Sequence, residues 1–300
     1  MANFDTSMAV ETIWRRQAAW SRAAVEAKRA ITRARLTVAA LTAGAAVCGT
    51  LANQLGQTQR GAGRALAVVA AAALLLVPVA ARWAGRDAVH AWTRLRSVSE
   101  ALKADAYRYL AGVAPFGGAD RDAVLLGRLD ALMGDAGDLV GRTLDAAPAA
   151  RPLPAVSDVA TYLTERLQRQ VDGYYLPRAR RMGRVAQRIR YAATALTVVA
   201  AGVSATVGVL GDNLGLTAWI GVAATVTTAL VGYGSAQQYE HHQIEYARTA
   251  DQLTRLRLCR EAGQGWTDDD AFVAEAERII SLSNEGWMAR VIEQDGAAQQ

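Results

Sequence analysis

Two pairs of apolar segments constrain this 300-residue chain more than any other feature of its sequence. Residues 36–59 and 65–81 form the first pair, and residues 191–211 and 214–239 form the second. These segments contain no Asp, Glu, Lys or Arg, and each is close to the roughly 20 residues that a helix needs to cross a bilayer. A short polar turn joins the two segments of each pair, and Gly61 and Gly63 are predicted to break the helix at the first turn. The sequence therefore predicts an all-α membrane protein with four transmembrane helices in two hairpins and long helical extensions outside the bilayer.

The order of elements occurs twice: a basic helix, a two-span hairpin and a charged helix. Asn-Gln-Leu-Gly at residues 53–56 corresponds to Asp-Asn-Leu-Gly at residues 212–215. Because each half holds an even number of spans, the halves are predicted to be parallel repeats. The predicted domains are a first two-span repeat over 1–147 with spans at about 36–56 and 65–82, a proline-rich linker over 148–157, and a second two-span repeat over 158–300 with spans at about 191–211 and 214–234.

Arginine residues are concentrated beside the predicted spans. The net charge of +5 and the pI near 9.5 could indicate a nucleic-acid partner, but no basic groove with interleaved aromatic residues supports one. The charge distribution instead places both turns outside and the N-terminus, the middle and the C-terminus in the cytoplasm. Few lysines beside abundant Arg and Ala indicate a GC-rich bacterial genome. The predicted location is therefore the inner (cytoplasmic) membrane of a bacterium. The basic residues predicted to bind anionic lipid or to gate the protein are Arg29, Arg33, Arg35, Arg181, Arg184, Arg188 and Arg190.

Three of the four predicted spans carry a stripe of small or weakly polar residues. In the third span, spacings of three and four residues put Thr197, Ser204 and Gly208 on one helical face. Such a face either allows close helix packing or lines a pore or ion channel formed by several copies, and both interpretations stay open. With no charged residue inside the spans, a proton- or ion-coupled transporter is disfavoured. The candidate pore-lining or packing residues are Thr42, Asn53, Thr197, Ser204, Gly208, Thr225, Thr228 and Gly232, with Asp212 and Asn213 at a predicted outer mouth.

Side chains with catalytic potential are scarce in this chain. The sequence contains three histidines and no phosphate loop, nucleophile elbow or CxxC pair, so we expect no enzymatic activity and no cofactor. His241, His242 and Glu245 could begin a metal site, but a third ligand is not apparent beside them. We therefore interpret these three residues as a solvated cluster at the membrane interface and predict no bound metal.

The predicted helices outside the bilayer carry apolar residues at helical spacing. Trp14 and Trp20 lie on an amphipathic first helix, where contact with lipid headgroups and packing against other helices are equally consistent with the pattern. A last helix is predicted to begin at residues 267–270, because acidic residues stabilise a helix start. Ser157 or Asp158 is predicted to cap an earlier helix, and Gly173 and Pro177 are predicted to interrupt that helix. The residues predicted to pack these helices together are Trp92, Phe272, Ile279 and Trp287.

Three of these patterns resemble a bacterial family. The Arg-rich helix before a two-span hairpin, the helix at residues 92–103, and the sequence Phe-Val-x-x-Ala-Glu at 272–277 followed by Glu-Gly-Trp at 285–287 look like SLATT domains in two tandem copies. SLATT domains are two-transmembrane effector modules linked to nucleotide-signal conflict systems. The resemblance implies a pore-forming or membrane-perturbing effector of bacterial defence or signalling. It would open in response to a cytoplasmic signalling partner or a nucleotide-dependent activator. Because four spans of one chain barely enclose a lumen, we also expect a homo-oligomer.

A membrane-anchored scaffold or sensor is the alternative interpretation. In that case the helices outside the bilayer recruit a partner protein and the spans serve only as an anchor. Replacement of Thr225 and Thr228 by Val would then leave the function intact, whereas the pore interpretation predicts a loss.

Overall fold

The computed structural model describes residues 7–144, 151–212 and 215–282, and every regular element in these residues is helical. Four helical stretches are long and apolar enough to cross a membrane: Met8–Gly56, Arg60–Ala111, Val159–Leu210 and Thr217–Glu261. At most 11% of the residues in the most apolar part of each stretch are buried, so these side chains face outward as lipid-facing side chains do. The predictions of an all-α chain and of four possible spans are confirmed.

The helices follow one another with short connections. A 3-10 turn covers Gly137–Leu139, and two π-helical stretches, Leu163–Gln168 and Val171–Tyr175, stand between α6 and α7. The α-helices are α1 (Met8–Gly56), α2 (Arg60–Arg82), α3 (Arg86–Ala111), α4 (Arg121–Asp135), α5 (Gly141–Leu144), α6 (Val159–Tyr162), α7 (Leu176–Leu210), α8 (Thr217–Gln237), α9 (Tyr239–Glu261) and α10, which is helical over the described residues 269–282.

The π-helical stretches lie where the sequence predicts an interruption at Gly173 and Pro177. That prediction is wrong, because the chain stays helical from residue 159 to residue 210. Gly173 is inside the second π-helical stretch. Pro177 is the second residue of α7 and follows this stretch closely. Proline cannot donate a backbone N–H, and it lies where the helical hydrogen-bond pattern changes from π to α.

The chain divides into two compact units. The bundle unit consists of Met1–Lys28, Arg86–Ala179 and Ile244–Gln300, and the span unit consists of Arg29–Gly85 and Arg180–Gln243. Each unit combines segments from early and late parts of the chain. The tandem repeat divides the chain near residue 150, and its bounds stay a prediction from the sequence.

Aromatic residues form much of the core of the bundle unit. Trp14 and Trp20 are both buried. The indole Nε1 of Trp14 donates to the carbonyl oxygen of Pro152 at 2.9 Å, and its ring meets Tyr107 edge to face at 6.0 Å. Burial of a whole aromatic side chain contributes about 1.5–3 kcal/mol. Both tryptophans therefore pack inside the protein, and the interpretation as headgroup contacts is wrong.

Two predicted helix starts in the bundle unit are confirmed. The Asp158 carboxylate accepts the N–H of Thr161 at 2.7 Å, and the Thr161 hydroxyl oxygen accepts the N–H of Asp158 at 3.1 Å, which is a capping box. Asp268 accepts the N–H of Ala271 at 2.9 Å at the start of α10. Each such cap is worth about 1 kcal/mol.

The first hairpin of the span unit turns through residues 57–59. The sequence predicts that Gly61 and Gly63 break the helix, and this is wrong because both lie within α2. A Cβ atom on Gly63 would lie 2.6 Å from the Cα of Gly56. Gly63 is therefore needed for the close crossing of α1 and α2, not for ending a helix.

Candidate membrane surface and buried charge cluster

The stripe predicted on the third span lies on an exposed face of α7. Thr197, Ser204 and Gly208 are exposed, whereas Val203 and Val207 on a neighbouring face are half-buried within the span unit. The Thr197 hydroxyl donates to the carbonyl oxygen of Ala193 on its own helix at 3.0 Å, which satisfies the hydroxyl proton without another helix. This stripe is therefore free to meet lipid or another chain.

The corresponding residues of the other spans divide into exposed and half-buried groups. Thr228, Gly232 and Asn53 are exposed, whereas Thr42 and Thr225 are half-buried. The hydroxyls of Thr42 and Thr225 each donate at 2.9 Å to a carbonyl four residues earlier on the same helix. Whether these residues line a pore or pack helices stays a prediction.

The turns of the two hairpins lie at the same end of the span unit. Gln54 donates through Nε2 to the carbonyl oxygen of Gly215 at 3.1 Å, so the end of α1 contacts the turn between α7 and α8. Asp212 accepts the N–H of Thr217, the first residue of α8, at 3.2 Å. Hydrogen bonding with Thr217 lowers the pKa of Asp212. Asn213, predicted beside it at the outer mouth, lies outside the described residues. Sequence reasoning missed Gln54 because a glutamine near a polar turn carries no distinguishing signal.

Several arginine residues lie at the other end of the span unit. The Arg35 guanidinium donates to the carbonyl oxygen of Ala236, and Arg190 pairs with Glu240. Arg35 precedes Gln54 by 19 residues on one helix, or roughly 29 Å at 1.5 Å per residue, which matches the hydrocarbon thickness of about 30 Å. The remaining basic residues predicted there are all exposed: Arg29, Arg33, Arg181, Arg184 and Arg188.

His241 and His242 lie in the first turn of α9. Gln238 has a left-handed backbone with φ 51° and separates α8 from α9. His242 is buried, so the interpretation of this group as a solvated cluster is wrong for that residue. Among residues 7–144, 151–212 and 215–282, no group of three or more His, Cys, Asp and Glu side chains could hold a metal ion.

A buried ion pair connects the first π-helical stretch with α10 in the bundle unit. Arg166 and Glu277 have side chains only 1% and 2% exposed. Arg166 donates from Nε to Oε1 at 2.9 Å and from Nη2 to Oε2 at 2.8 Å, and Tyr162 donates to the same Oε1 at 2.9 Å. Burial disfavours the charged carboxylate, but attraction and hydrogen bonding from Arg166 outweigh it and lower the pKa of Glu277. The ring of Tyr107 lies 4.7 Å from the Arg166 guanidinium carbon.

Helix α3 adds further charged groups beside this pair. Arg96 Nη2 lies 3.0 Å from the Glu100 Oε1 and donates to the Tyr174 hydroxyl at 3.1 Å. Lys103 Nζ is 4.0 Å from the Glu100 Oε2. Burial, with repulsion from Arg166, lowers the pKa of Lys103 to about 8. We define the charge cluster as Arg96, Glu100, Lys103, Arg108, Arg166 and Glu277.

Sequence reasoning missed this charge cluster. Residues 96, 100 and 103 repeat at helical spacing on α3, a pattern that is typical of a solvated helix face with ion pairs. Of the residues predicted to pack the helices outside the bilayer, Trp92, Phe272 and Ile279 are buried in the bundle unit. Trp287 lies outside the described residues.

The apolar helices of the span unit, which face outward, and the buried core of the bundle unit define a multi-span α-helical membrane protein with a helical domain. Residues 162–287 match the family model described as SMODS and SLOG-associating 2TM effector domain 1, which is the SLATT family. Residues 18–123 match a family described as a protein of unknown function, DUF4231. No curated protein and no solved structure matches the chain.

The match confirms the predicted SLATT resemblance for residues 162–287 and indicates a membrane effector. That segment holds both spans of the second hairpin, and it also holds Arg166 and Glu277. The first half matches a different model, so a second SLATT copy stays a prediction.

Proposed function

We propose that this protein is an effector that forms a gated pore in the bacterial inner membrane, or otherwise perturbs that membrane, as a homo-oligomer. The observation that carries the proposal is the exposed stripe of α7, which includes Thr197, Ser204 and Gly208. Small residues on an exposed face let a second helix approach closely. Hydroxyl oxygens on that face can also accept hydrogen bonds from water. Since four spans of one chain enclose little space, several copies would be needed to surround a channel.

The ends of the span unit fit such a channel. Asp212 lies at the end with the two turns, and the exposed Arg184 and Arg188 lie toward the arginine-rich end. We infer that the turns face outward and that the arginines lie at the cytoplasmic surface, where anionic lipid attracts them. With no charged residue in the spans, the pore would select weakly among ions.

We propose that the protein acts by changing membrane permeability and not by catalysis. The bundle unit would then receive the signal, from a cytoplasmic partner or a nucleotide-dependent activator. Neither a cofactor nor nucleic acid is needed for this activity.

Planar-bilayer recording of the purified full-length chain in lipid containing phosphatidylglycerol tests the proposal. The informative variant combines Thr197→Val with Ser204→Ala, which removes two hydroxyls from the stripe while keeping side-chain volume similar. Thr206→Val is the matched control. Thr206 is also exposed and donates to a carbonyl of its own helix, that of Gly202, at 2.9 Å. It lies nine residues after Thr197, about two and a half turns, and so on the opposite side of α7.

We expect the stripe variant to reduce conductance at least about tenfold and Thr206→Val to leave it near the wild-type value. Equal effects from both variants would overturn the assignment of the stripe. Absence of conductance from the wild type under every lipid and nucleotide condition, with cellular activity intact after substitution, would instead support an anchored scaffold.

A further inference from the structure

The local sequence does not explain the break between α8 and α9. Residues 235–245 contain no glycine or proline, so nothing in them forces a helix to end. The structure nevertheless ends α8 at Gln237 and begins α9 at Tyr239, with Gln238 between them at φ 51° and ψ 39°. A residue other than glycine rarely adopts this left-handed conformation, since its Cβ atom crowds the following carbonyl oxygen. We therefore looked for contacts from other helices that hold the break.

Arginines of both hairpins contact the residues on either side of Gln238. Arg35 of α1 donates to the carbonyl oxygen of Ala236, and Arg190 of α7 pairs with Glu240. In a continuous helix the Ala236 oxygen would instead accept the N–H of Glu240, four residues later. The Arg35 guanidinium therefore takes the place of a backbone donor at the end of α8, and both arginines stabilise the broken form.

Two tyrosines make a contact that only the broken form allows. The hydroxyls of Tyr233 and Tyr239 lie 3.3 Å apart, and their ring centroids are 6.4 Å apart. Residues six apart on a continuous helix point about 120° away from each other and are displaced by about 9 Å along its axis, so they do not face each other as residues three or four apart do. The broken form also has a cost, because Nε2 of Gln237 is buried with no hydrogen-bond partner among the described residues.

We propose that the junction at Gln238 is a conformational switch with two states. In the broken state, which the structure shows, α8 and α9 are separate helices. In the continuous state Gln238 takes the right-handed conformation, the N–H of Glu240 donates to the Ala236 oxygen, and α8 and α9 form one helix. Separation of Arg35 or Arg190 from the junction favours the continuous state, since the two contacts exist only in the broken one. This proposal does not depend on the pore.

A distance measurement between spin labels on α8 and α9 tests the switch. The labelled full-length chain carries Ala224→Cys and Arg248→Cys, both at exposed positions, in a background with Cys48 and Cys259 replaced by Ala. One continuous helix would put the two labelled Cα atoms about 36 Å apart, at roughly 1.5 Å per residue. Double electron–electron resonance on the protein in lipid nanodiscs should show a shorter distance when the junction is otherwise wild type.

Arg35→Met removes the donor to Ala236 and should raise the ratio of long to short distances at least about tenfold. Gln238→Gly, added to Arg35→Met, should reverse this change, because glycine adopts the left-handed conformation readily. Arg33→Met is the control, since Arg33 is exposed on the same helix, and it should keep the wild-type distribution.

An unchanged distribution in Arg35→Met, or a distance of about 36 Å with the wild-type junction, would overturn the proposal. A shift that Gln238→Gly does not reverse would overturn it as well, because a misfolded chain also changes the distance.

Discussion

Arg166 and Glu277 form a buried bidentate ion pair across 111 residues of sequence. The pair joins the π-helical stretch before the third span to the helix that follows the fourth span and its extension, α9. Both residues lie in the segment that matches the SLATT model. The chain that enters and the chain that leaves this two-span hairpin are therefore held together by a charged contact inside the bundle unit.

Glu277→Gln should destabilise the bundle unit strongly. The substitution preserves shape but leaves Arg166 charged and buried without its counter-ion, which costs about 3–5 kcal/mol. Denaturant unfolding of the full-length protein, followed by tryptophan fluorescence, measures the loss, since Trp14 and Trp20 lie in the core of this unit. The double variant Arg166→Met with Glu277→Leu removes both charges and should recover most of the stability. If the free energy of unfolding of Glu277→Gln lay within about 1 kcal/mol of the wild-type value, the ion pair would contribute little to stability.

Stability should depend on pH through Lys103. The folded protein holds the pKa of Lys103 at about 8, below the usual 10.5, so the unfolded chain binds more protons between these two values. The free energy of unfolding should therefore rise with pH above about 8, by at most about 1.4 kcal/mol per pH unit. Burial raises the pKa of Tyr162 well above 10.0, so from about pH 10 the unfolded chain loses tyrosine protons first and stability falls again.

Denaturation midpoints between pH 7 and pH 10.5, in chloride without phosphate, measure this effect. The groups that act on Lys103 are Arg96, Arg166, Glu100 and Glu277. Lys103→Met removes the titrating amine and should flatten the rise above pH 8 while leaving the fall above pH 10. If the free energy of unfolding of Lys103→Met rose above pH 8 with the wild-type slope, the titrating group would be another residue.

The spans could be predicted because the sequence signal for them is local. A segment of about 20 apolar residues without charge indicates a membrane span. This signal does not depend on the sequence of the rest of the chain. The cap at Asp158 could be predicted for the same reason, since it involves residues only three positions apart. The stripe on α7 was predictable as a helical face, but its exposure depends on which face of α7 packs within the span unit.

The charge cluster could not be predicted from the sequence. Arg96, Glu100 and Lys103 have the spacing of a solvated helix face, and only the packing of α10 and the π-helical stretch against α3 buries them. Gly63 gave an ambiguous signal for a related reason. A glycine near a turn fits both a helix end and a close helix crossing, and only the position of Gly56 decides between them.

Gly63→Ala should destabilise the first hairpin. Its new Cβ would lie 2.6 Å from the Cα and 2.8 Å from the backbone nitrogen of Gly56, so α1 and α2 would have to separate, at a cost of about 1–3 kcal/mol. Gly61→Ala is the matched control, because a Cβ there meets no atom within 4 Å and alanine favours helix by about 0.5–1 kcal/mol. Thermal unfolding in detergent should show a loss for the first variant and a small gain for the second. The opposite order would mean that the helices do not cross closely at Gly63.

Cysteine labelling should place the turn of the first hairpin on the outer face of the inner membrane. Arg35 and Gln54 are separated along α1 by about the thickness of a bilayer, and the positive-inside rule puts the arginine-rich end in the cytoplasm. Gln57→Cys should therefore react with a large, membrane-impermeant maleimide on spheroplasts, whose outer membrane has been removed, in a background with Cys48 and Cys259 replaced by Ala. Arg184→Cys should react only after the spheroplasts are lysed. A polymer-linked maleimide is too large to pass through a narrow pore, so labelling of Arg184→Cys on sealed spheroplasts would reverse the predicted topology.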